Sequence, residues 1–401
     1  MAETTSRGKQ PPSWAEIPRD LAGKVLSLLP VHTDRVRFAA VCPQWRAAAR
    51  QLTLPPPMPV LALPDGTFYS LPDGKPFRFP GLDCAGFTTA CGSWLVFSRD
   101  DDCFLVDPFA GETLTLPGLS RVQLIPPDAV AKYVRIGPVS MFYPHPTWMH
   151  IIDPKKTPVI NKLIVCSPNL IAAFIGSTMA NCGQNSQILV CKPRASSWSV
   201  RANDECMVFE DMAFYQGKLY AIATDENLLA VNVCQDPSTS DPQVSKVEQV
   251  IAGDPFHTGF HTVVKKKLYL VESCGTLLMV HRKIFCNETD MGLVAATNEF
   301  EVFKADLKQS QWVNVTTLGD DQMLFLGRPC SRGASTSEYG IPGDQIFFLD
   351  DMMENALAEY TFDEDITSVN AYDMRTGNVS SPLPMVWEHK MITAAWLFPC
   401  D

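Results

Sequence analysis

The signatures by which many enzymes are recognised are missing from this sequence. It has no glycine-rich phosphate cradle, no Gly-x-Ser-x-Gly nucleophile elbow and no His-Glu-x-x-His pair. Nothing in it therefore suggests nucleotide, acyl-transfer or zinc-hydrolase chemistry, and no cofactor or metal is expected. No apolar run approaches the roughly 20 residues that a membrane-spanning helix needs. The first sixteen residues, MAETTSRGKQPPSWAE, are polar and contain no apolar core for a secretory signal. Thirteen cysteines are present, but the number is odd, the spacings are irregular and no Cys-x-x-Cys occurs. The expectation is reduced thiols in the cytoplasm and/or nucleus, with the sequons at Asn287, Asn314 and Asn378 as chance matches. Positive charge is also scarce: 33 Lys/Arg against 44 Asp/Glu give a net charge of −11, which argues against nucleic acid as a partner.

What the chain does have is apolar residues, 46% against 19% charged over 401 residues. That is enough to bury a large core, and the length suits one small module plus one large β architecture. The charge is unevenly placed. Residues 1–50 hold eight Lys/Arg and four Asp/Glu, a net +4, which leaves −15 for the rest. A basic head on an acidic body suggests that the head meets an acidic partner.

Residues 1–13 read as a disordered leader, and 14–50 are the only stretch with sustained helical periodicity. Ile17, Leu21, Val25, Leu28 and Leu29 fall at i, i+4, i+8, i+11 and i+12, which predicts one apolar helix face. Pro18 sits in the first turn and Pro30 ends the segment. Gly23 lowers the stability of such a helix by about 1 kcal/mol relative to Ala. Thr33 is the expected N-cap of a second helix bearing Val36, Phe38 and Val41, and Pro43 opens a third carrying Trp45, Ala48 and Ala49. Residues 51–59 then form a Pro-rich linker.

From residue 60 to 401 the pattern changes to short β-branched and aromatic runs bounded by turn residues, with an expected period of two: WLVFS, CFLVDP, LIVCS, ILVCK, KLYAIA, KLYLVE, MLFLG and QIFFLDD among them. A repeat runs through them. Asp107 and Asp373 each end a strand with glycine four residues on, at Gly111 and Gly377, and Trp198 and Trp312 each stand six residues after a strand end. Tyr220 and Tyr269 lie 49 residues apart in matching KLY segments. This pattern predicts a hairpin repeated at blade length, with Trp sealing one sheet against the next, hence a mainly β chain ending in a β-propeller of about six or seven blades. The last strand, within MITAAWLFP, would close the ring against residues 58–80.

The N-terminal residues Ile17-Pro18, Leu21, Val25, Leu29, Val41-Cys42 and Trp45-Arg46 resemble the F-box in order and spacing. FEDMAFYQGKLYAIATDENLLAVNV, WVNVTTLGDDQMLFLG and DQIFFLDD are similar to plant F-box proteins with a C-terminal DUF295 (KIB-type) domain. That resemblance implies a substrate receptor of an SCF (Skp–Cullin–F-box) ubiquitin ligase, without catalytic residues of its own. Ile17, Pro18, Leu21, Val25, Leu28, Leu29, Val41 and Trp45 would meet a Skp-type adaptor and, through it, cullin. Arg19, Lys24, Arg35 and Arg37 could steer that adaptor. The alternative is a propeller scaffold outside the ubiquitin pathway.

Other clusters read as structural. His257 and His261 flank Gly259 and do not suit a helical ligand pair. Asp100–Asp102, Asp320-Asp321 and Asp350-Asp351 look like turn residues at strand ends, Lys265–Lys267 like a solvated hairpin tip, and Cys103, Cys166 and Cys191 like small core hydrophobes. The target would engage longer insertions, with 121–159, 234–258 and 328–344 as candidates.

Overall fold

The computed structural model describes residues 17–51, 57–71, 74–99, 102–127, 132–133, 150–151, 159–176, 186–202, 209–253, 264–289, 292–336, 339, 341–349, 369–381 and 394–399. The proposed leader, the His257–His261 pair and Asp350-Asp351 lie outside them. The chain divides into two compact units, residues 1–58 with 399–401, and residues 59–398.

The first unit holds α1 (Arg19–Ser27), α2 (His32–Val41) and α3 (Pro43–Gln51). Pro18 is the N-cap of α1 and its carbonyl accepts the amide of Ala22 at 2.9 Å. Proline suits that place, because the first amides of a helix have no internal acceptor. The helix tightens at its end, where Leu28 N donates to Val25 O and Leu29 N to Leu26 O, both at 3.1 Å. α2 begins two residues earlier than a Thr33 cap would allow. Val31 is the N-cap, and its carbonyl accepts the amides of Asp34 and Arg35. Burial of the Val31 side chain fixes that carbonyl and places Thr33 inside the first turn. α3 opens at Pro43 as its sequence predicts, with the Cys42 thiol accepting the Trp45 amide at 3.5 Å. Behind α3, Met58 N donates to Pro30 O at 2.8 Å, which ties the end of the linker to the α1–α2 turn.

The second unit is a propeller of six blades. Blade I holds β1 (Val60–Ala62), β2 (Phe68–Ser70) and β3 (Lys75–Phe77); blade II holds β4 (Thr89–Cys91), β5 (Trp94–Arg99), β6 (Asp102–Asp107) and β7 (Glu112–Leu116). After β8 (Val122–Ile125) comes a two-stranded ribbon of β9 (Lys132–Tyr133) and β10 (His150–Ile151). Blade III is β11 (Val159–Ser167), β12 (Leu170–Gly176), β13 (Gln187–Cys191) and β14 (Trp198–Arg201), with β8 added in parallel as an outer fifth strand. Blade IV is β15 (Phe209–Tyr215), β16 (Lys218–Ala223), β17 (Leu228–Gln235) and β18 (Pro242–Ile251). Blade V is β19 (Val264–Ser273), β20 (Thr276–Thr289), β21 (Gly292–Asp306) and β22 (Gln311–Val315). Blade VI is β23 (Gln322–Leu326), β24 (Arg332–Ser335), β25 (Gln345–Leu349), β26 (Val369–Asp373) and β27 (Val379–Ser380). Finally β28 (Ala395–Leu397) pairs with β1, Val60 opposite Leu397, so the first and last strands share one sheet and close the ring as the sequence suggested.

The core is radial, with apolar clusters between adjoining sheets. Leu105, Leu189 and Trp198 pack between blades II and III, and Val280, Leu324 and Phe348 between V and VI. Because these sheets pack on both faces, strands such as β13 and β25 are buried along most of their length. All five residues of β13 and four of five in β25 are buried, in place of the expected alternation.

The predicted Asp–Gly turn is present. Asp107 Oδ1 accepts the amides of Phe109 and Ala110, and Asp373 Oδ1 those of Arg375 and Thr376. Gly111 and Gly377 then take φ of 70° and 71°, where a side chain would be strained. Asp236 and Asp306 build the same turn, ending on Ser240 and Ser310 at positive φ.

Tryptophan seals the blades as predicted. Trp198 Nε1 donates to Pro117 O at 2.7 Å, Trp312 Nε1 to Glu226 O at 3.0 Å and Trp396 Nε1 to Leu326 O at 3.0 Å, each reaching back to the preceding blade. Two readings need correction. Tyr220 lies on the second strand of its blade and Tyr269 on the first strand of the next, so the 49-residue spacing does not relate equivalent positions. Lys265–Lys267 lie within β19, not at a hairpin tip, and Lys266 forms an ion pair with Glu226.

Candidate docking surface

The helical unit has a very small core. Ala22, Leu26, Phe38 and Ala48 are buried, with Ile17, Leu29, Trp45 and Ala49 packed partly against them. The Phe38 and Trp45 rings pack in a tilted pair with centroids 4.3 Å apart. α1 therefore carries two apolar faces about 100° apart around its axis. Ala22 and Leu26 face inward, while Leu21, Val25 and Leu28 face solvent with 49%, 41% and 72% of their surface exposed. On α2, Val36 (53%) and Val41 (58%) are exposed as well. Among the described residues eight large apolar side chains are exposed, and these five are the ones outside the propeller.

The predicted contact residues therefore separate. Leu21, Val25, Leu28 and Val41 lie on the open surface, and Pro18 is exposed at the helix cap. Ile17, Leu29 and Trp45 pack on the unit's own core, so the single face predicted for α1 is in fact two. Val36 was not among the predicted contacts. Only the inward turn of Phe38, two residues on, reveals that Val36 points outward.

The basic residues divide in the same way. Arg35 Nε donates to Leu29 O at 2.7 Å, tying α2 to the end of α1, and Arg46 Nε donates to Ala39 O at 3.2 Å, tying α3 to α2. Arg37 forms an exposed pair with Asp34 at 2.9 Å, while Arg19 and Lys24 are exposed on α1. Burying half-exposed Leu or Val side chains under a partner yields roughly 1 kcal/mol each, which for five residues is enough to matter in a micromolar complex.

In the propeller several charged groups are engaged with one another. β11 and β15, the first strands of blades III and IV, each carry a bulge at which Asn161 and Glu210 are the extra residues. A bulge re-aims the residues beside it. Here it brings Lys162 Nζ to 2.5 Å from Asp211 Oδ1, with both side chains buried. Asp211 also accepts the amides of Met212 and Leu270, each at 2.8 Å, so one carboxylate joins blades III, IV and V. Burial pushes the Glu210 carboxyl above its ordinary value, against the nearby Lys267 and Arg328 cations. Between blades V and VI, Arg282 is fully buried over the Phe348 ring, donating to Asn298 Oδ1 and Leu349 O.

The acidic clusters that fall among the described residues lie at strand ends, with Asp320 and Asp321 in a turn. Asp102 opens β6, while Asp320 precedes β23 and pairs with Arg375. Of the candidate target-binding segments, 234–258 holds the end of β17, its turn and β18, with 254–258 outside the described residues; 328–344 contains β24, and most of 121–159 lies outside the described residues.

The nine cysteines whose side chains are described are free. Burial pushes the thiols of Cys91 and Cys166 up to about 12 and that of Cys103 up to about 11, and raises that of Cys191 as well, which keeps them protonated. Among the described residues no group of His, Cys, Asp and Glu is arranged to hold a metal ion, and no helix is long and apolar enough to cross a membrane.

Comparison with known proteins adds two matches to family models. Residues 14–55 match the F-box domain and residues 68–373 the KIB1-4 beta-propeller. An F-box protein of Arabidopsis thaliana, At2g26160, is 23% identical over 86% of this chain and 98% of its own length. The Arabidopsis F-box only protein 7 is 20% identical over 99% of this chain and 97% of its own. Among solved structures, a bifunctional GH43-CE protein of Bacteroides eggerthii aligns with a TM-score of 0.27 and 11% identity, covering 57% of this chain and 28% of that one, too distant to bear on the argument.

Proposed function

Given that the chain belongs to the KIB1-4 beta-propeller family and carries an F-box, we propose that it is the substrate-recognition subunit of an SCF-type ubiquitin ligase. Leu21, Val25 and Leu28 of α1, with Val36 and Val41 of α2, seat on a Skp-type adaptor. The adaptor connects them to cullin, and the propeller holds the target protein. The chain contributes no catalytic group. Holding a target lysine beside a ubiquitin thioester raises its effective concentration, and that accelerates transfer.

One observation carries this reading: a three-helix unit with a minimal core leaves five large apolar side chains in water. An apolar patch of this kind marks an interaction site. The net positive charge of the unit favours an acidic partner. Work in the cytoplasm, the nucleus or both belongs to the same reading, and the free thiols support it.

The test is copurification of the tagged full chain. Wild type recovers a Skp-type adaptor and cullin. Leu21→Asp combined with Leu28→Asp loses both while the propeller unfolds at an unchanged denaturant midpoint. Adaptor-free wild type at normal yield would overturn the assignment. Leu29→Asp is unsuitable as a probe, because Leu29 packs against the module's own core.

A further inference from the structure

We propose that Ser27 is a phosphorylation site and that its modification releases the adaptor; the inference rests on the docking reading above. Ser27 is the last residue of α1 and is exposed, and its hydroxyl donates to the Lys24 carbonyl at 2.9 Å. Its neighbours are Lys24, three residues back, and Leu28, the next residue and the most exposed of the five surface apolar side chains.

Lys24-Val25-Leu26-Ser27-Leu28 thus presents a hydroxyl with a cation at −3 and an apolar side chain at +1. That pattern is complementary to a protein kinase with an acidic pocket before its catalytic cleft and an apolar one after it. Access is local. The amides of Leu28 and Leu29 bond only three residues back and Pro30 follows, so opening one terminal turn offers extended backbone. In the reaction the Ser27 Oγ–P bond forms as the bond from the γ-phosphorus of MgATP to its bridging oxygen breaks. ADP leaves, and the hydroxyl proton passes to the kinase's base.

Three physical effects then act in the same direction. The donor to the Lys24 carbonyl becomes a group of nearly two negative charges that faces that carbonyl with acceptors only. The charge lies at the helix C-terminus, where the carbonyls already concentrate negative potential. And Leu28 can be covered by a partner only if the phosphate beside it is also stripped of water. Lys24 offsets part of this charge, since it carries one positive charge against nearly two.

The test uses the full chain and a purified Skp-type adaptor. One sample is treated with a basic-directed kinase and MgATP. A second carries genetically encoded phosphoserine at position 27, and a third is Ser27→Ala. The site is read by peptide mass and affinity by interferometry. The expected result is phosphate on Ser27 and an affinity lower by at least about 30-fold, equivalent to about 2 kcal/mol. A phosphatase restores the affinity, and Ser27→Ala binds equally with and without kinase. Encoded phosphoserine with unchanged affinity, or a Ser27 that kinases of this class leave unmodified, would overturn the proposal. Helical circular dichroism separates released from unfolded protein. Failure of the untreated chain to bind would instead remove the docking reading itself, so the two failures are distinguishable.

Discussion

The helical unit and the propeller handle apolar surface in opposite ways. In the propeller the sheets pack on both faces, and three large apolar side chains, Val165, Val313 and Val379, are exposed among its described residues, on three different blades. The helical unit is less than a fifth as long, packs around four buried residues, and leaves five large apolar side chains outside. Its exposed residues share helix faces, and α1 carries a second apolar face that its own fold does not use. The propeller thus covers nearly all of its own apolar surface, while the helical unit leaves open the surface that the proposed function assigns to a partner.

This contrast can be broken first in the propeller. Asp211→Ala leaves Lys162 buried without its counter-charge and two amides without an acceptor, an expected loss of about 3–5 kcal/mol. Urea unfolding of the propeller should show that loss. The doubly apolar Lys162→Met/Asp211→Leu should recover much of it, since the pair's cost lies in leaving one charge alone.

A second test compares two leucines two residues apart at the end of α1, Leu26 in the helix and Leu28 at its C-cap. Leu26→Ala empties the centre of the helical core and should cost about 2–5 kcal/mol of that unit's stability. Leu28→Ala, the same chemistry on the exposed face, should change stability by less than about 0.5 kcal/mol, yet weaken adaptor capture. Equal effects on stability would erase the distinction between the two faces.

Ring closure comes next in size. Trp396→Phe removes the donor to Leu326 O and should cost about 1–3 kcal/mol in thermal or urea unfolding. The smallest effect concerns a turn. Hydrogen bonds from Ser238 and Thr239 hold the Asp236 carboxyl at about 2, below its ordinary value of 3.8. The charged form is thereby favoured in the folded state. Its contribution is complete above the ordinary value and lost as pH falls through about 2. Asp236→Asn should flatten that part of the acid-unfolding curve.

Some of this was legible in the sequence because it is local. Asp107 with Gly111, and Asp373 with Gly377, form turns within five residues, and Trp198 and Trp312 follow at fixed offsets, so the repeated hairpin could be read directly. The family resemblance on Val41-Cys42 and Trp45-Arg46 agreed with the F-box match. Periodicity could not tell which face of α1 is inside. It grouped Ile17 and Leu29 with Leu21, Val25 and Leu28, because a helix with two apolar faces gives one broad stripe. Whether Phe38 or Val36 turns inward depends on Trp45 of the next helix. The Lys162–Asp211 pair spans 49 residues and needs two bulges to form, which no local pattern announces.

The most direct test of the central claim is calorimetric titration of a Skp-type adaptor into the full chain at several temperatures. The account predicts binding with a negative heat-capacity change, the mark of apolar burial, lost in the Leu21→Asp/Leu28→Asp variant. Binding of equal strength and heat capacity by that variant would contradict it.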